Sequence, residues 1–153
     1  MIRTLATIAL LFACGTSPAQ HLESAKASME SGSWDGAVTA ANDGLTAGPE
    51  PTVAWRLELV LLEAHARSGN AAESIKQIEK LATANVDRVN GKLYVSTAGQ
   101  LKEGGDAPGA IDLLDAGAKR YPSDGEITQA IEVAKTTDDA DELEALRSLG
   151  YIE

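Results

Sequence analysis

Three short segments of this chain repeat one another: Gly32-Ser33-Trp34-Asp35-Gly36-Ala37, Gly69-Asn70-Ala71-Ala72-Glu73-Ser74 and Gly105-Asp106-Ala107-Pro108-Gly109-Ala110. Their leading glycines stand 37 and 36 residues apart. The register then carries forward, aligning Ala41 with Ile78 and Leu114, Leu45 with Ala82 and Ala118, and Pro49 with Pro122. A period in this range restricts the fold to stacked copies of one supersecondary unit, because one copy cannot bury its apolar face alone.

Within each unit the apolar spacing predicts helices. Ile75, Ile78, Leu81 and Ala82 form one stripe, and Ile111, Leu114 and Ala118 form its counterpart in the next unit. These are second helices. First helices are predicted before the glycines, over about 21–31, 52–68 and 92–103. The middle one carries Val53, Trp55, Leu57, Val60, Leu61 and Leu62 around much of its circumference, which predicts a helix held between neighbours. Each repeat glycine falls where a helix ends in a left-handed residue, and Ser33, Asn70 and Asp106 follow as N-caps of the next helix. Pro51 and Pro108 fit first turns, where a missing N–H is harmless, while Pro49 and Pro122 close the preceding helices.

A helix, a glycine, a polar cap, an aromatic or small residue, a small residue early in the second helix and a closing proline together resemble the tetratricopeptide repeat. The resemblance covers residues 21–122. It implies an all-α, tetratricopeptide-like α-α repeat solenoid of about three helix pairs with C-terminal capping helices. The second unit departs from the pattern, with Ala71 in place of Trp34 and Val86 in place of the prolines. The units are also longer than the family's usual length of about 34 residues. Residues 123–153 are predicted to cap the stack. One helix should follow Ser123, with Glu126 completing a capping box and Ile127, Ile131 and Ala134 facing inward; another should follow Asp138 or Asp139 with Leu143 and Leu146 inward. Tyr151 and Ile152 should fold back after Gly150.

The other end reads as an export signal, residues 1–13, with Arg3 ahead of an apolar run from Leu5 to Ala13. Such a run reaches about 14 Å as a helix, against roughly 30 Å of bilayer hydrocarbon. Leu11-Phe12-Ala13-Cys14 resembles the lipobox of bacterial lipoproteins. That implies cleavage after Ala13, lipid on Cys14 and a membrane anchor, with residues 14–20 as the lipidated N-terminus and tether. Cys14 is the only cysteine, so no internal disulfide competes for it. Gly15 rather than an aspartate, by analogy with the sorting rule of enteric bacteria, favours the outer membrane, facing the periplasm. The net charge of −10 becomes −11 once Arg3 is removed, which argues against nucleic acid or anionic headgroups as partners.

Residues with catalytic or metal-binding potential are sparse. His21 and His65 belong to different units without metal-ligand spacing, Ser74 and Ser96 have no adjacent base, and Gly104-Gly105-Asp106 reads as a helix stop and cap. The acids at 138–144 suit a helix start. No enzyme activity, cofactor or metal is expected, and the expected partner is a protein or peptide.

The family resemblance implies a concave groove lined by first helices, which selects Lys26 and Glu30, then Arg56, Leu59, Glu63 and Arg67, then Lys92, Val95, Lys102 and Glu103. Five of the ten are basic, which suits an acidic segment or a C-terminal carboxylate. The same cations also suit a plainer role, balancing nearby acids on solvated helices. The expected function is a membrane-anchored scaffold or assembly adaptor of the cell envelope; the alternative is a structural or accessory subunit that packs permanently without recognising a peptide.

Overall fold

The computed structural model describes residues 16–153, so the signal segment and Cys14 lie outside the described residues. Eight helices follow: α1 (Pro18–Glu30), α2 (Trp34–Thr46), α3 (Pro51–Arg67), α4 (Ala71–Ala84), α5 (Gly91–Glu103), α6 (Ala107–Arg120), α7 (Gly125–Ala134) and α8 (Ala140–Ser148). The fold is all-α, with sequential antiparallel packing consistent with a helical repeat. Helices α1, α3, α5 and α7 touch in succession as one row, and α4, α6 and α8 form a second row. None of the described helices is long and apolar enough to cross a membrane.

The corners follow the glycine register. Gly32, Gly69 and Gly105 have φ of 71°, 70° and 93°, where a β-carbon would be strained. The residue after each donates its N–H five residues back, Ser33 to Ser28, Asn70 to His65 and Asp106 to Leu101, at 2.8, 2.9 and 3.0 Å. These bonds satisfy carbonyls that the helix ends would leave free. Asn70 and Asp106 cap as expected, accepting from Glu73 N–H at 3.2 Å and Gly109 N–H at 2.9 Å. Ser33 makes no such bond. All three residues have ψ between 72° and 81° instead of the extended value near 155° seen at Ser17. The longer Asn and Asp side chains span the gap and the serine hydroxyl does not.

Other boundaries differ from expectation. Helix α1 starts at Pro18, inside the stretch read as tether, because Ser17 and Gln20 form a capping box: Ser17 N–H donates to Gln20 Oε1 at 2.8 Å and Gln20 N–H to Ser17 Oγ at 3.3 Å. Helix α7 is capped by Asp124 and not by Ser123. Asp124 Oδ1 accepts from the N–H groups of Glu126 and Ile127 at 2.9 and 3.1 Å, leaving no role for a serine-glutamate box. Asp139 does the same for α8.

Helix α3 divides the interior. Leu57 and Leu61 close a small cluster with Leu22, Ala25 and Ala41, whereas Leu62 and Ala66 join a larger one running through Ile78, Tyr94, Leu101, Leu113, Ile127 and Leu146. The helix is thus held on two sides, as its sequence implies. Between α4, α5 and α6, Tyr94 donates to Glu79, which Arg120 also reaches at 2.9 Å, and the Tyr94 and Tyr121 rings meet edge to face at 5.8 Å. Burial first, then the Glu79 carboxylate, pushes the Tyr94 phenol far above its usual range, so it stays a neutral donor.

Candidate functional site

Helix α5 turns Lys92, Val95, Ser96, Gly99 and Lys102 to one side, a spacing that puts all five on one face. Helix α7 matches it with Glu126, Gln129, Ala130, Val133 and Ala134. Ala110, Ile111 and Leu114 of α6, which packs against both, form the floor of a cleft of about 620 Å³. The lining is mostly small and apolar because alanine and glycine recur where larger residues would fill the space. Val133 is 64% exposed, one of two large apolar residues in that state among the described residues.

Glu142 of α8 completes the wall. Its side chain is only 2% exposed, and Oε1 lies 2.6 Å from Lys102 Nζ. Oε2 accepts no hydrogen bond from any described residue. Burying a carboxylate oxygen without a donor is costly, so the cleft wall carries an unmet acceptor. The sequence alone points to Leu143 and Leu146 as the inward pair of α8. The α8 stripe instead buries Glu142 and Leu146, leaving Leu143 at intermediate exposure. The i, i+4 spacing of Glu142 and Leu146 was the available signal.

Of the residues selected from sequence, Lys92, Val95 and Lys102 line this cleft. Lys26, Glu30, Arg56, Leu59, Glu63, Arg67 and Glu103 do not, and Leu59 packs against the large core cluster. The expected excess of free positive charge is largely absent. Lys26 pairs with Glu23 at 2.8 Å, Arg67 with Glu63 at 2.8 Å and more loosely with Glu103 at 3.9 Å, and Lys102 with Glu142. Among the described residues only Arg56 and Lys92 of the five cations lack an ion pair. Three of the five selected cations thus balance local acids.

Other titratable groups do not converge. Burial lowers the pKa of His65; the Glu73 carboxylate opposes this more weakly, and Lys76 adds a further lowering. A second, shallower cleft of about 340 Å³ gathers Asp112, Asp141 and Glu144, where burial and then Asp115 and Asp106 raise the Asp112 carboxyl. Among the described residues no group of three or more His, Cys, Asp or Glu is placed to hold a metal ion. No protein-family model, curated protein or solved structure matches the chain.

Proposed function

We propose that this chain is a non-enzymatic, membrane-anchored scaffold or assembly adaptor of the bacterial cell envelope, built on tetratricopeptide-like repeats. The observation that supports it best is the open apolar groove along matching faces of α5 and α7, with Val133 exposed in its wall. A groove of this form suits an apolar helix face or peptide. A photoreactive residue at position 133 should cross-link to a protein in intact cells, and no cross-link would remove the reading.

The anchor in this reading is lipid on Cys14, at the end of Leu11-Phe12-Ala13-Cys14. Several acyl chains on one residue hold a protein durably, where one would give only reversible attachment. Helix α1 begins at Pro18, so only residues 15–17 separate Cys14 from the fold, which keeps the repeats close to the bilayer surface. Cys14→Ala should move the protein from the membrane fraction to the soluble fraction. A Cys14→Ala protein that still sediments with membranes and resists salt extraction would refute the anchor.

A further inference from the structure

We infer that α8 is a releasable latch on the α5–α7 groove: it opens as a unit with the chain end while α1 to α7 stay folded, and opening lengthens the groove across the face of α6. The opening stands on how α8 is packed; its role at the groove rests on the scaffold reading. Helix α8 buries two side chains, Leu146 and Glu142. One of the two is thus a carboxylate, with Oε1 held by Lys102 at 2.6 Å and Oε2 without a donor among the described residues. Hydration lost by a buried ion pair commonly exceeds what its attraction returns, and an apolar residue of similar volume is often the more stable choice. That cost exists only while α8 is seated, because swinging out returns both oxygens to water.

The surroundings of α8 act in the same direction. Helix α6 is gripped by α4, α5, α7 and α8, whereas α8 packs chiefly on α6. Two clefts adjoin it: Glu142 walls the α5–α7 groove, and Asp141 and Glu144 line the shallower cleft together with Asp112 of α6, so like charges face one another across that seam. Leu146 seats the helix, aided by the partly buried Leu149, Tyr151 and Ile152. Tyr151 N–H donates to Leu146 O at 2.9 Å, which ties the tail to the helix, and the connection from α7 over residues 136–139 is mostly exposed. An element with so few buried apolar contacts opens locally, well below the free energy of global unfolding. The floor of the groove is α6 itself, at Ala110, Ile111 and Leu114, so a departing α8 removes the Glu142 wall and uncovers α6 surface beside that floor.

Hydrogen–deuterium exchange of the full chain, followed by mass spectrometry, tests the latch. Amides of α8 should exchange about a hundredfold faster than those of α5 and α6. Glu142→Met, similar in length and without charge, should slow α8 exchange by about tenfold, and Lys102→Met, which leaves the carboxylate unpaired, should speed it by about tenfold, with α6 unchanged in both. A pair that only stabilises the closed fold would give faster exchange in both variants. The dye anilinonaphthalene sulfonate, which fluoresces on exposed apolar surface, should be brighter with Lys102→Met than with the unsubstituted protein, and dimmest with Glu142→Met. The inference is overturned by α8 exchanging together with α5 and α6, by faster exchange in Glu142→Met, or by dye fluorescence that does not follow the opening of α8. Should it be overturned while position 133 still cross-links to a protein, the scaffold reading stands without a latch. Opening of α8 with no cross-link from position 133 removes the scaffold reading, and the role of the latch with it.

Discussion

Gly104→Ala, at the C-cap of α5, should lower the melting temperature by on the order of 10 °C, whereas Gly99→Ala, five residues earlier and inside α5, should raise it slightly. A β-carbon on Gly104 would lie 2.7 Å from Ala66 O and 2.8 Å from both Arg67 O and Gly69 N. All three are backbone atoms of the corner between α3 and α4, and backbone held by its own hydrogen bonds cannot rotate away as a side chain can. The two corners must separate, and overpacking of this kind costs about 3 kcal/mol. At Gly99 the added methyl enters open space, and the helix gains about 0.5–1 kcal/mol from the lower entropy of its unfolded state. Thermal unfolding followed by circular dichroism measures both. A neutral Gly104→Ala would mean that the second and third repeats do not stack corner on corner.

Removing residues 139–153 should leave a folded but weakened and aggregation-prone protein. Helix α8 packs on α6, Leu146 is fully buried in the large cluster, and Leu149, Tyr151 and Ile152 lie against it. Tyr151 is pinned by its hydroxyl, which donates to Asp115 at 3.0 Å, and by its N–H, which donates to Leu146 O at 2.9 Å. Burial of Leu146 alone stabilises by about 1.5–3 kcal/mol, a large share of a net stability on the order of 5–15 kcal/mol. Truncation also leaves the α6 face without its cover, and an uncovered repeat face promotes association. The melting temperature should fall and light scattering should rise with protein concentration. An unchanged melting temperature would show that α8 is not a structural cap.

Much of this fold is legible in the residues because its strongest signals are local. A glycine placed just past an apolar helical stripe permits the left-handed corner found at Gly32, Gly69 and Gly105, and stripes such as Ile75-Ile78-Leu81-Ala82 mark the inward side of a helix before any tertiary information is added. Caps are less legible. Ser17-Pro18-Ala19-Gln20 carries a complete capping signal yet sits in a stretch whose turn formers suggested a tether, and Ser33 failed as a side-chain cap through reach and not chemistry. The groove was the least legible part. Lys26–Glu23 and Arg67–Glu63 are helix-spaced pairs that the sequence displays openly, and each cation is offset by its own helix. The Lys102–Glu142 pair joins residues forty positions apart and depends on α8 folding back over the stack, which no local pattern reveals.

Val133 and Val86 offer a matched comparison for the central claim, that the face between α5 and α7 is where this protein meets another. They are the same residue type, exposed to 64% and 68%, and only Val133 lines the groove. A photoreactive amino acid placed at each position in turn, with cross-linking in intact cells, should give a discrete cross-linked protein from position 133 and none from position 86. Equal cross-linking from both positions, or from position 86 alone, would contradict it.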